Sequence, residues 1–286
     1  MYAPEFLLEF RTRDLARLGM HHMLGSRWGM LASVLGLSLA IAGCQTTAGD
    51  GDAGRAWTYG MHRVPPASLR DGEFYTLTEI RKHPKTWPAV VARNKLKPGV
   101  KLPAVVYLHG CVGNTVGDTW AKLFGELGIA FFAPDSLARP RASQCVGNMT
   151  SRLIMRLEEV KVALAELRKA DWIDQKRLIL MGSSEGGHAA SEYDGKDFAA
   201  IVITAADCQF SGGSPNVPGH VPVLNMVGQH DKEGGGFGCA IRREVGSSRK
   251  LIIKDAGHKL ATFPEARQTL RRFLRACCAI GVQAGS

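Results

Sequence analysis

The chain has 286 residues, 45% hydrophobic and 22% charged, enough to bury a sizeable core and too apolar for a disordered chain. Lysine and arginine (36) exceed aspartate and glutamate (26), giving a formal charge of +10, but the basic residues are scattered, as at Arg242-Arg243 and Arg271-Arg272, and no nucleic-acid-binding module accompanies them. Nucleic acid is therefore not an expected partner, and a polytopic membrane protein is excluded because one stretch alone is apolar enough to consider as a membrane segment.

That stretch comes first in chain order. Trp28 to Gly43 reads WGMLASVLGLSLAIAG behind His21, His22 and Arg27, and its length falls short of the roughly 20 residues a membrane-spanning helix needs. A basic flank before a short apolar core is the pattern of a secretory signal, with translation starting at Met1 or, closer to the flank, at Met20 or Met23. The run ends in Ile41-Ala42-Gly43-Cys44, which resembles the lipobox of bacterial lipoproteins. The resemblance implies a signal peptide over 1–43, cleavage before Cys44, lipidation of the Cys44 thiol and a membrane anchor. Gln45, in place of an aspartate, implies the periplasmic face of the outer membrane. A plain secretory signal or an uncleaved anchor is the alternative. Residues 44–58, small and polar, read as a flexible tether to one domain over 59–286.

Within that domain, 56–100 predicts an antiparallel edge with weak strands at Glu73 to Ile80 and Ala89 to Arg93. Pro103 to Gly110 is a continuous apolar run ending in a glycine-rich turn, the pattern of a buried parallel strand. A helix over Asp118 to Leu127 and a strand over Ile129 to Ala133 follow. Ser151 to Ala170 carries Leu153, Ile154, Leu157, Val160, Leu164 and Leu167 at helical spacing. Arg177 to Gly182 reads as a strand and Glu185 to Tyr193 as a helix, with further strands at Phe198 to Thr204, Val221 to Val227 and Lys250 to Ile253. Phe263 to Cys277 is the closing helix. This alternation predicts an α/β class with one mostly parallel, doubly wound sheet and no large lid, since 205–220 is only a Gly/Pro-rich loop.

Four motifs fall on that framework. Gly182-Ser183-Ser184-Glu185-Gly186 fits G-x-S-x-G between a strand and a helix, with Ser184 at its centre as candidate nucleophile. A serine hydroxyl needs a base, and His258 in Asp255-Ala256-Gly257-His258, past the last strand, is the candidate. His188 reads as structural packing, and His230 adjoins a better-qualified acid. Asp231, just past another strand and 27 residues before His258, is the candidate carboxylate, with Asp207 and Asp255 as rivals. Oxyanion donors are expected from the Glu185 amide and from His109-Gly110-Cys111-Val112-Gly113, where the Cys111 amide is favoured and Val112 is possible. Cys111 as a nucleophile is discounted because no elbow presents its side chain.

Seven cysteines occur, and setting Cys44 aside leaves Cys111, Cys145, Cys208, Cys239, Cys277 and Cys278, an even set open to oxidation after export. Cys277 and Cys278 are adjacent on a predicted helix, where a mutual bond would be strained. No C-x-x-C or Cys/His zinc spacing occurs, so neither a metal nor another cofactor is expected.

Through LHGCVG (108–113), PDS (134–136), GSSEGG (182–187), GQHD (228–231) and AGH (256–258) the chain resembles the dienelactone hydrolase branch of the α/β-hydrolases over 70–276. The resemblance implies a compact hydrolase with a Ser184–His258–Asp231 triad and no metal, acting on a small-molecule or polymer ester. The branch proper uses a cysteine nucleophile where this chain has Ser184, so the founding substrates do not transfer. It also implies disulfides Cys208–Cys239, bracing the Asp231 loop, and Cys111–Cys145. A peptidase on the same fold, a non-catalytic surface-binding lipoprotein and a membrane-surface adhesin are the rival readings. Trp57, Trp87, Trp120 and Phe210 are candidate pocket aromatics, each with a core role as the alternative.

Overall fold

The computed structural model describes residues 51–70, 95–140, 142, 144–232, 238–241 and 247–280. The signal peptide expected over 1–43, Cys44, Trp87 and the strands expected at 73–80 and 89–93 lie outside them.

A seven-stranded sheet organises the domain. Its strands are β1 (Met61–Arg63), β2 (Leu102–Leu108), β3 (Ala130–Ala133), β4 (Ile173–Ser183), β5 (Ala200–Thr204), β6 (Val223–Gly228) and β7 (Arg249–Ile253), in the order β1-β3-β2-β4-β5-β6-β7. Among the described strands only β1 runs antiparallel, with Met61 opposite Ala133 and Arg63 opposite Phe131. The other pairs are parallel, through registers such as Val106 with Leu180, Met181 with Val202 and Val227 with Ile252. An antiparallel edge strand thus lies within 56–100, but at Met61–Arg63 and not at the two strands expected there, which fall outside the described residues.

Helices α1 (Asp52–Thr58), α2 (Gly117–Glu126), α3 (Met149–Arg168), α4 (Glu185–Glu192) and α5 (Pro264–Cys278) flank the sheet. Alternation along β2 sends Ala104, Val106 and Leu108 into a core shared with Trp57, Val160, Leu164 and Ala189. Val105 and Tyr107 enter a second core with Trp120, Phe124, Leu270 and Phe273. Each buried aromatic or large aliphatic side chain contributes about 1.5–3 kcal/mol. Asn148 caps α3 by accepting from the Ser151 amide at 3.3 Å, and Pro264 opens α5 where no amide donor is needed.

Two expectations are corrected. The tether predicted over 44–58 gives way at Asp52 to α1, whose Trp57 is buried and stacks on Phe132 at 5.6 Å between ring centroids. The amide of Asp135 donates to the Ala56 carbonyl at 2.7 Å and fixes α1 on the loop after β3. On α3, Ile154 is 54% exposed, whereas Arg156 and Glu159 are 2% and 0% exposed, so the inward face carries charge the apolar pattern did not reveal.

Three disulfides join described residues. Cys111–Cys145 ties the turn after β2 to the segment before α3, Cys208–Cys239 ties the loops after β5 and β6, and adjacent Cys277 and Cys278 are bonded near the end of α5. The first two are the pairings the resemblance implied.

Candidate active site

Loops at the carboxyl ends of the parallel strands converge, and the sharpest turn lies between β4 and α4. Ser184 has φ 56° and ψ −121°, a region that costs a residue with a Cβ about 1–3 kcal/mol and persists only where the surroundings enforce it. They do so here by close backbone approach. A Cβ on Gly182 would occupy the Gly186 carbonyl, and one on Gly186 would occupy the Leu108 carbonyl, so strand and helix meet only because these residues are glycines. The Ser184 amide donates to the Thr204 carbonyl at 2.9 Å, and its carbonyl accepts from the His188 amide at 3.0 Å. Beneath the turn, Thr204 Oγ1 donates to the Gly182 carbonyl at 3.0 Å and accepts from Ser183 Oγ at 2.6 Å, tying the elbow to β5.

Across the sheet, the loops after β6 and β7 are laced together. The Gln229 amide donates to the Ile253 carbonyl at 2.9 Å and the His230 amide to the Ala256 carbonyl at 2.8 Å, while Gly228 packs against the backbone of Ala256 and Gly257. This lacing brings His258 Nδ1 within 2.9 and 3.1 Å of the two carboxylate oxygens of Asp231, whose side chain is fully buried. A carboxylate only accepts, so Nδ1 carries a proton, and in the neutral imidazole Nε2 is the nitrogen left to accept one. The rival acids lie elsewhere: the Asp207 carboxylate is 3.6 Å from His188, and Asp255 sits at the exposed His230. His188, whose Nδ1 donates to the Asp207 carbonyl at 3.1 Å, has its pKa lowered chiefly by burial, in keeping with a packing role.

Ser184 and His258 line one cavity of about 360 Å³, together with Gly110, Cys111, Val112 and Cys145 on one side and Lys259, Leu260 and Ala261 on the other. Trp120 and Val116 form part of its wall. Trp120 is the aromatic candidate found at the cavity; Trp57 belongs to the core, and Phe210 packs edge-on against His188. Of the two amides named as oxyanion donors, Cys111 lies on the cavity wall and Glu185 begins α4 beside Ser184. Neither amide donates to another protein group among the described residues.

Behind this wall lies a charged cluster that the motifs do not announce. Arg156 Nε and Nη2 approach Glu185 Oε1 at 3.1 and 3.0 Å, and Arg152 Nε pairs with Glu185 Oε2 at 2.7 Å. Arg139 Nε donates to Glu159 Oε1 at 2.8 Å, and Ser136 Oγ donates to Glu159 Oε2 at 2.6 Å. His109 is enclosed among them, its pKa lowered to about 3 first by burial and then by the charge of Arg156. Leu260 and Ala261 were also missed as cavity residues. The signal for Arg156 and Glu159 was their position on α3, one turn apart and in line with Leu153, Val160 and Ala163.

The strand order, the single antiparallel edge and the strained serine turn after the central β4 define an α/β-hydrolase fold. No family model matches the chain, and no curated protein matches it significantly. Among solved structures, the esterase PE8 is 19% identical over 63% of this chain and 94% of its own, with a TM-score of 0.43. A Klebsiella pneumoniae protein provisionally described as a dienelactone hydrolase is 14% identical over 64% and 89%, with a TM-score of 0.46. Est1E from Butyrivibrio proteoclasticus, with ferulic acid bound, is 12% identical over 63% and 90%, with a TM-score of 0.48. Among the described residues no group of three histidine, cysteine or acidic side chains is placed to hold a metal ion, and no helix is long and apolar enough to cross a membrane.

Proposed function

We propose that the chain is an exported serine hydrolase that cleaves ester-type acyl bonds through Ser184, His258 and Asp231. The observation that carries this reading is the strained Ser184 turn opening on the cavity that His258 lines, with His258 Nδ1 held by a buried Asp231. Ser184 Oγ attacks the acyl carbonyl as its proton passes to His258 Nε2, and Asp231 stabilises the imidazolium so formed. The oxyanion is held by the Cys111 and Glu185 amides. The proton then goes to the leaving alcohol, and water, activated by the same histidine, releases the acid from the acyl-enzyme. A cavity of about 360 Å³ with Trp120, Val116 and Leu260 in its wall suits a short acyl group or a single ring.

The disulfides Cys111–Cys145 and Cys208–Cys239 support export to an oxidising compartment, and Cys44 would anchor the mature chain at the periplasmic face of the outer membrane. Fluorophosphonate labelling with peptide mapping tests the catalytic reading. An adduct on Ser184 that is absent from His258→Ala supports it. A folded protein that takes no adduct and cleaves no short-chain p-nitrophenyl ester refutes it in favour of a surface-binding lipoprotein. Palmitate incorporation that Cys44→Ala abolishes is the matching test of the anchor.

A further inference from the structure

We propose that Arg156, which is not on the cavity wall, is a positioning residue that sets the orientation of both oxyanion-binding amides; the inference rests on the serine-hydrolase reading above. Arg156 is 2% exposed on α3 and reaches the two segments that must supply the donors. Its Nη2 donates to the Gly110 carbonyl at 3.2 Å, and its Nε and Nη2 donate to Glu185 Oε1 at 3.1 and 3.0 Å. One guanidinium therefore bridges the turn after β2 and the first residue of α4.

Peptide geometry gives the first contact its consequence. The Gly110 carbonyl and the Cys111 N–H belong to the same planar, trans peptide unit and point in opposite directions. The carbonyl is held on the inner side by three donors: Arg156 Nη2, the Gly113 amide at 3.1 Å and His109 Nδ1 at 2.7 Å. The Cys111 N–H is thereby directed away from the cluster, toward the cavity that Cys111 and Ser184 share. His109 donates from Nδ1 because its Nε2 accepts the Ser136 amide at 3.1 Å. A cation at the carbonyl end of the unit also polarises the N–H and makes it a stronger donor to developing negative charge. At the second contact, the Glu185 carboxylate is gripped by Arg156 and Arg152, which fixes the residue whose own amide is the other donor.

Arg156 is itself anchored by Ser136 Oγ and by Glu159 Oε2 at 3.7 Å, and Arg139 braces Glu159 at 2.8 Å. Arg139 pairs instead with Glu159, Glu158 and the Met155 carbonyl, so it belongs to the same cluster without holding either oxyanion segment. That contrast supplies the control. Buried ion pairs of this kind are no better than apolar packing for stability, so their value here lies in direction.

The test is steady-state hydrolysis of p-nitrophenyl butyrate by the full-length protein, with inhibition by phenylboronic acid, whose serine adduct places an oxygen where the oxyanion forms. R156K keeps the charge and loses the fork. It is expected to lower kcat about 100-fold with KM within threefold, to weaken boronate inhibition about tenfold or more, and to leave the pH midpoint of kcat/KM in place. R139K is expected to stay within about twofold of wild type. If R156K does not fold, the charge-balanced double variant R156Q/E185Q carries the same measurements. A folded variant with wild-type kcat and boronate affinity overturns the inference, as does a loss confined to KM or an equal loss in R139K. A wild-type protein that neither cleaves the ester nor binds the boronate refutes the hydrolase reading itself, and this inference with it.

Discussion

The two sides of the cavity are held by different forces. On the elbow side, Arg139, Arg156, Glu159 and Glu185 are all at most 6% exposed, and Arg156, paired with Glu185, holds the Gly110 carbonyl. On the acid–base side, the loops after β6 and β7 are joined by backbone hydrogen bonds, and the Cys208–Cys239 bond ties the stretch beyond Asp231 to the loop after β5. Asn225, buried on β6, reinforces that link by accepting the Cys239 amide at 2.8 Å and donating to the Ala206 carbonyl at 3.0 Å. The difference matches what each side would do in the proposed reaction. Oxyanion amides would have to keep one direction throughout, which fixed charges favour. His258 would have to gain and lose a proton, with the Asp231 carboxylate 2.9 Å away to balance the charge.

The largest test of this division falls on the acid. Asp231→Asn keeps the shape of the loop but can present its amide nitrogen to His258 Nδ1, favouring the wrong tautomer. It is expected to lower kcat about 10³- to 10⁴-fold with little change in melting temperature. A loss of under tenfold would mean that His258 is oriented by something other than Asp231. The next effect is on stability: replacing Cys208 and Cys239 together by serine removes a link closing a 31-residue separation and should cost about 3–4 kcal/mol in guanidinium unfolding. A cost below about 1 kcal/mol would place the burden of that side on the backbone lacing alone.

The acid–base side was the more legible of the two in the sequence. Asp231 and His258 each follow a recognisable strand, whereas the other side shows only its elbow, through the glycines at 182, 186 and 187 that close approach of strand and helix requires. The charged brace was hidden for a physical reason. Arg156 and Glu159 read as the solvated face of α3 when apolar spacing decides which side is inside, and Ile154 then appears to belong to the core. Only the tertiary pairing with Glu185 and Arg139 makes their burial tolerable. The tether estimate failed similarly. Small polar residues around Trp57 suggest a linker, but Phe132 and His62 give that indole a place to stack.

Acid acts on the elbow side and on the β1 edge of the sheet. His109 behind the elbow and His62 on β1 both have pKa values lowered from 6.5 to about 3, chiefly by burial. Between those limits the unfolded chain binds protons that the folded chain refuses, so stability is full above pH 6.5 and falls as the pH drops toward 3. At pH 5 each histidine is expected to cost on the order of 2 kcal/mol relative to pH 7. Urea midpoints at the two pH values measure the sum, and His62→Gln should remove about half of the slope. An unchanged slope in that variant would assign the acid sensitivity to other groups.

The smallest effect reports on the elbow itself. At φ 56° and ψ −121°, Ser184 holds a conformation that glycine adopts freely and alanine does not. Both Ser184→Ala and Ser184→Gly abolish the proposed nucleophile, so their difference isolates the backbone. In an ordinary helix or strand glycine is the less stable of the two by about 0.5–1 kcal/mol. Here the order should reverse, with Ser184→Gly the more stable by about 1 kcal/mol. The reversal would mean that the buried cluster and the glycine packing keep the serine strained. Equal stabilities would mean that the turn is relaxed, leaving the Arg156–Glu185 pairing to orient peptides that already prefer their positions.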